Sequence, residues 1–132
     1  MKKAVLLFIA AGLVFSLASC RPSDKKEFEK LKESVADAGY DVSDVYVDSG
    51  FEGVVSSFSV RINFDGNTFA EIPIVLCESE DAVKKNSELF GADSIKLVIA
   101  KGKIFSYPGR DYPEKVLDTV RAIVNGTEIP KK

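Results

Sequence analysis

The chain has 132 residues, 45% of them apolar, and carries 18 basic against 20 acidic side chains for a formal charge of −2. That size suits one globular core and leaves little room for a second domain. Histidine is absent, which removes Ser-His-Asp and Cys-His nucleophile activation, most zinc and copper sites, and the usual pH switch near neutrality.

Lys2 and Lys3 open the chain, and Ala4 to Leu17 is then almost wholly apolar, interrupted only by Gly12 and Ser16. The run is shorter than the roughly 18–20 residues a membrane-spanning helix needs. Arg21 to Lys26 end it with polar and turn-forming residues. The pattern predicts a cleaved export signal in place of a transmembrane anchor. Leu17-Ala18-Ser19-Cys20 follows directly: a branched apolar residue, two small residues and a cysteine.

This tetrapeptide resembles the lipobox of bacterial lipoproteins. The resemblance covers residues 1–20 and does not reach the domain beyond. It implies diacylglyceryl transfer to the Cys20 sulfur, cleavage between Ser19 and Cys20, and in many bacteria acylation of the new amino group. Cysteine is required there because a thiolate is the nucleophile that takes the lipid. One acyl chain holds a protein to a bilayer only marginally, whereas two or three make attachment effectively permanent. The expected protein is therefore exported and lipid-anchored to the bacterial cell membrane or outer membrane without spanning it.

On this reading residues 1–19 are the signal, 20–23 a lipidated tether, 24–127 a single domain and 128–132 a polar tail. Without Lys2 and Lys3, 16 basic residues face 20 acidic ones, a formal −4. Such a domain gains nothing from overall attraction to anionic headgroups, so the lipid supplies the attachment. Cys20 is consumed as a thioether, which leaves Cys77 without an intramolecular partner and excludes a disulfide framework.

Asp24 and Glu27 have the spacing of a capping box, and Phe28, Leu31, Val35 and Ala38 recur at helical intervals, so a first helix is expected over 24–38, closed by Gly39. Val42, Val45 and Val47 suggest a short strand near 43–48. Phe58, Val60, Ile62 and Phe64 alternate with polar residues, the pattern of a half-buried strand. Asp65-Gly66-Asn67 turns the chain into a hairpin with Thr68 to Cys77, where Pro73 marks an edge or a bulge. Ser79 is placed to cap a second helix over 80–90, burying Ala82, Val83, Asn86, Leu89 and Phe90. Ile95, Leu97 and Ile99 form another strand pattern, and Lys101-Gly102 turns into Lys103 to Tyr107. Asp111 and Glu114 bracket the start of a third helix with the stripe Val116, Leu117, Val120, Ile123 and Val124, stopped by Asn125-Gly126.

The order α-β-β-β-α-β-β-α, with tight turns between adjacent strands, predicts an α+β two-layer sandwich: a mostly antiparallel sheet with helices on one face. A ferredoxin-like variant with an extra helix is the alternative topology.

Residues that could carry chemistry are few. Cys77 stands just before the second predicted helix, where a reactive thiol is conceivable, but an inert buried cysteine needs no further assumption. Asp41, Asp44 and Asp48 lack the every-second-residue spacing of a calcium loop and read as a solvated strand face. Glu78, Glu80 and Asp81 suit the positive end of the helix they precede. Tyr107-Pro108-Gly109-Arg110-Asp111-Tyr112 pairs two amphipathic rings with a guanidinium, so Tyr107, Arg110 and Tyr112, with Phe51 in another loop, form a candidate contact surface. Alternatively, their rings simply cover the edge of the core.

No metal site and no cofactor are expected, and nothing suggests nucleic-acid binding. The functional expectation is a binding or interaction module at the cell envelope, meeting an envelope protein or a small ligand. Two alternatives stay open: a small envelope enzyme using Cys77 or a Ser-Lys pair, and a structural subunit of an envelope complex.

Overall fold

A computed structural model describes residues 22–45, 50–89 and 98–132. The expected signal, the lipobox-like Leu17, Ala18, Ser19 and Cys20, and the positions Asp48, Phe90, Ile95 and Leu97 lie outside these residues. Helix α1 (Pro22–Asp37) leads to strand β1 (Asp41–Asp44), then β2 (Val54–Asp65), β3 (Thr68–Cys77), helix α2 (Glu80–Glu88), β4 (Ile99–Lys101), β5 (Ile104–Ser106) and helix α3 (Glu114–Asn125). The strands form one sheet in the order β1-β2-β3-β5-β4, with every neighbouring pair antiparallel. This is the expected α+β class and element order. The ferredoxin-like alternative, built on split βαβ units with a parallel pair, is not the topology adopted.

The β2–β3 hairpin is the backbone of the sheet. Asp65 pairs with Thr68 across Gly66-Asn67, and the register runs back to Val54 opposite Cys77. Because side chains alternate, Phe58, Val60 and Ile62 on β2 share a face with Ala70, Ile72, Ile74 and Leu76 on β3. Phe28 and Val35 from α1, and Val116, Val120, Ile123 and Val124 from α3, close over that face. Phe28 meets Phe58 with ring centroids 5.2 Å apart. Burying an aromatic or branched side chain of this kind contributes about 1.5–3 kcal/mol each.

Helix α2 departs from the expected arrangement of helices on one face. Val75 and Cys77, pointing to the other side of β3, form a second cluster with Phe105 of β5 and with Ala82 and Val83 of α2. The reason is written in β3 itself. From Ile74 onward the strand is apolar at every position, so both its faces need cover. The helical layer covers one, and α2 covers the other.

Local boundaries shifted for identifiable reasons. Pro22 is the first residue of α1, a position where its missing N–H costs nothing. Asp24 therefore sits inside the first turn, and its carboxylate accepts from Lys103 Nζ at 3.0 Å. Strand β1 begins at Asp41, earlier than the valine spacing suggested, pairing Asp41 with Arg61 and Asp44 with Phe58. Ser79 caps α2 as expected, its hydroxyl accepting from the Ala82 N–H at 3.1 Å. Leu89, expected to be buried, is 62% exposed because α2 ends at Glu88. Gly126 ends α3 with φ +70°, the left-handed conformation that glycine adopts without strain.

Pro73 stands at an edge as expected, whereas the place of the tail was not anticipated. Strand β5 pairs with β3 only between Ile74 and Leu76. Pro73 thus stands where β3 has become an edge, and its carbonyl accepts from the buried Ser106 hydroxyl at 2.8 Å. The polar tail is also docked on the domain. Lys132 N–H donates to Ala38 C=O at 2.9 Å, Tyr40 Oη donates to Pro130 C=O at 2.7 Å, and Ile129 packs on the main core.

Candidate functional site

An apolar-floored recess lies between α1 and α3, above the sheet. Successive turns of α1 contribute Phe28, Leu31 and Ser34 to one wall, and the last turn of α3 contributes Ile123, Val124 and Asn125 to the other. Leu76 of β3 and Ile104 of β5 lie in its floor, and the β4–β5 turn, Lys101-Gly102-Lys103, closes one end. Its volume is about 480 Å³, inside the range of roughly 300–1,000 Å³ typical of small-molecule clefts. Phe28, Leu76 and Ile123 are at most 2% exposed, so the recess is a trough over a closed core and does not penetrate it. Leu31 and Ile104 are half-buried apolar side chains in its lining.

Charge around the trough is mixed and local. Lys103 is held by Asp24. Lys30, Lys101 and Glu27 also line it, and each is exposed. An apolar strip with a few charged groups at the rim can orient an amphipathic ligand or a peptide segment. Periodicity identified both helices, but it could not reveal the gap between them. That gap depends on how far apart α1 and α3 sit on the sheet.

The four residues expected to form a contact surface do not converge. Phe51 packs edge-on against Phe105 and Tyr107, with centroids 5.6 and 5.2 Å away, on the face covered by α2. Tyr112 instead packs against Phe64 at 5.8 Å beside the main core, and the Arg110 guanidinium lies 5.9 Å from the Tyr112 ring. The turn at Pro108-Gly109 carries the chain from one side of the sheet to the other. Phe51, Tyr107 and Tyr112 are all half-buried, and only Arg110 is exposed. These rings cover core edges, as the alternative reading of them held.

The loop bearing Phe51 is fixed by Asn86 of α2. Asn86 Oδ1 accepts from Glu52 N–H at 2.9 Å, and its Nδ2 donates to Glu52 C=O, also at 2.9 Å. The same amide lies 3.5 Å from the Cys77 sulfur. Cys77 is fully buried, beneath α2 and behind this loop, so no reagent reaches its sulfur without local opening. The hydroxyls of Ser34, Ser57, Ser87 and Ser106 donate to backbone carbonyls, and none of these four is activated by a lysine amine.

Several acidic residues likewise have structural partners. Asp44 accepts from Lys32 at 2.8 Å, and this hydrogen bond holds the Lys32 ammonium above its ordinary value, partly offset by desolvation. Glu114 and Asp118 flank Arg121 at 3.1 and 2.7 Å and raise its affinity for its proton, Glu114 first. Among the described residues no cluster of carboxylates or thiols is arranged to hold a metal ion, and no helix is long and apolar enough to cross a membrane.

Comparison with known proteins finds no match: no family model, no curated protein and no solved structure resembles the chain significantly.

Proposed function

We propose that this is a bacterial lipoprotein, anchored through lipid on Cys20, whose domain serves as a binding module at the cell envelope with the α1–α3 trough as its binding site. The observation that carries the binding reading is the trough of about 480 Å³, floored by core side chains and rimmed by charge. The anchoring reading rests on Leu17-Ala18-Ser19-Cys20 after an apolar run. A site beside the membrane follows from the two readings together, since Asp24 of the trough lies four residues beyond the cysteine.

Substitution in the trough tests the binding reading. Ser34 is exposed on its wall, so Ser34→Trp fills the space without disturbing the core. A compound or peptide that raises the melting temperature of the parent should lose that effect on Ser34→Trp and on Leu31→Glu. A binder whose stabilising effect survives both substitutions would locate the function elsewhere.

A further inference from the structure

The position of α1 fixes which part of the domain meets the bilayer, and charge agrees with it. The helix begins at Pro22, only two residues after Cys20. A residue of extended chain spans at most about 3.6 Å, so the first turn of α1 cannot lie far from a lipid attached to that cysteine. The Asp24–Lys103 ion pair locks this turn to the β4–β5 turn, and the two therefore form one corner of the molecule. That corner carries Lys25, Lys26, Lys101 and Lys103 against Asp24 and, one turn deeper, Glu27. Lys25, Lys26 and Lys101 are exposed.

The rest of the domain has the opposite character. The chain beyond the signal has a formal −4, so acidic residues predominate away from this corner. Glu78, Glu80 and Asp81 stand where β3 passes into α2, at the same end of the sheet but on its other face, and outnumber the Lys84 and Lys85 of the next turn, the second of which pairs with Asp81 at 3.4 Å. A surface of anionic headgroups attracts the lysine corner and repels the α2 corner over roughly one Debye length, about 10 Å at 0.1 M salt. Net charge alone hides this separation.

We infer that the first turn of α1 and the β4–β5 turn form a docking face for anionic lipid headgroups, on which the domain stands tilted with α2 raised from the membrane. The inference rests on the anchoring reading above. The domain then has one preferred orientation, and the trough opens next to the bilayer surface.

The test uses the full-length lipidated protein in vesicles of phosphatidylcholine with or without phosphatidylglycerol. A fluorophore is attached through Ser23→Cys on α1, Glu80→Cys on α2 or Asn67→Cys in the β2–β3 turn, and is quenched by a lipid-borne quencher. Quenching should fall in the order 23, 80, 67. The excess at 23 over 80 should grow with phosphatidylglycerol and shrink at high salt. It should be lost in the triple variant Lys25→Glu, Lys26→Glu, Lys101→Glu, and reduced in the corresponding glutamine variant, with recovery on vesicles unchanged. An excess unaffected by phosphatidylglycerol or by the triple variant overturns the docking face while leaving the anchor intact. Protein that fails to associate with vesicles of either composition overturns the anchor and the docking face together.

Discussion

Asn86→Ala should convert Cys77 from a protected thiol into a reactive one. Asn86 is 1% exposed and clamps Glu52 through two backbone hydrogen bonds of 2.9 Å, so the 50–53 loop and α2 hold each other down over Cys77. Each bond contributes about 1 kcal/mol net. Glu52 itself is exposed, so its released backbone groups regain water and the loss does not reach the full penalty of a buried orphan. With the lost packing, a total of about 2–3 kcal/mol is expected. At about 1.4 kcal/mol per tenfold, the open population rises roughly 30- to 150-fold. The assay is the rate of labelling by a chromogenic disulfide reagent under native conditions, which follows the open population when closing outpaces reaction. Cys20→Ser in the background leaves Cys77 as the sole thiol. A variant labelled within threefold of its parent would refute the clamp. A parent labelled as fast as a small free thiol would revive the catalytic reading of Cys77.

Gly53 has φ +67°, and a Cβ there would lie 3.0 Å from Glu78 Cγ and 3.1 Å from Ala82 Cβ. Gly53→Ala should therefore destabilise by more than about 1 kcal/mol in urea titration, and an unchanged midpoint would contradict the close approach. Tyr40→Phe removes the bond to Pro130 C=O and should lower stability by about 1 kcal/mol. Truncation after Thr127 should lower it further by exposing Tyr40 and the core contact of Ile129; a fully stable truncation would show the tail to be merely adjacent. The Lys32–Asp44 pair is a surface pair, so Lys32→Met should cost less than about 1 kcal/mol after solvent screening. The raised Lys32 pKa means its stabilisation is fully present below pH 10.5, the unfolded value, and is lost as pH climbs through the folded value. A parent–variant difference that persists well above that range would refute the pairing.

Periodicity made most of this fold legible. The alternation around Phe58 and the stripe from Val116 to Val124 each reported one face packed against one partner. Strand β3 resisted that logic because Ile74 to Cys77 is apolar at every position, which says that both faces are covered but not by what. The second cover proved to be α2. The aromatic loop residues misled for a related reason. Phe51, Tyr107 and Tyr112 are close in composition and, in part, in sequence, yet the turn at Pro108-Gly109 sends them to opposite sides of the sheet. The trough between α1 and α3 left no local mark at all, since it is set by helix spacing. The docked tail was equally silent, since both of its hydrogen bonds end on backbone carbonyls that carry no residue identity and Ile129 is a lone apolar residue among polar ones.

Mass analysis of the N-terminal peptide, from the full-length chain expressed in a bacterium and recovered from its membranes, bears most directly on the proposed anchoring. The expected chain begins at Cys20 with a diacylglyceryl group on its sulfur, and Cys20→Ser should lose both the group and the cleavage. A chain that retains residues 1–19, or one beginning at Cys20 with an unmodified thiol, would contradict that anchoring.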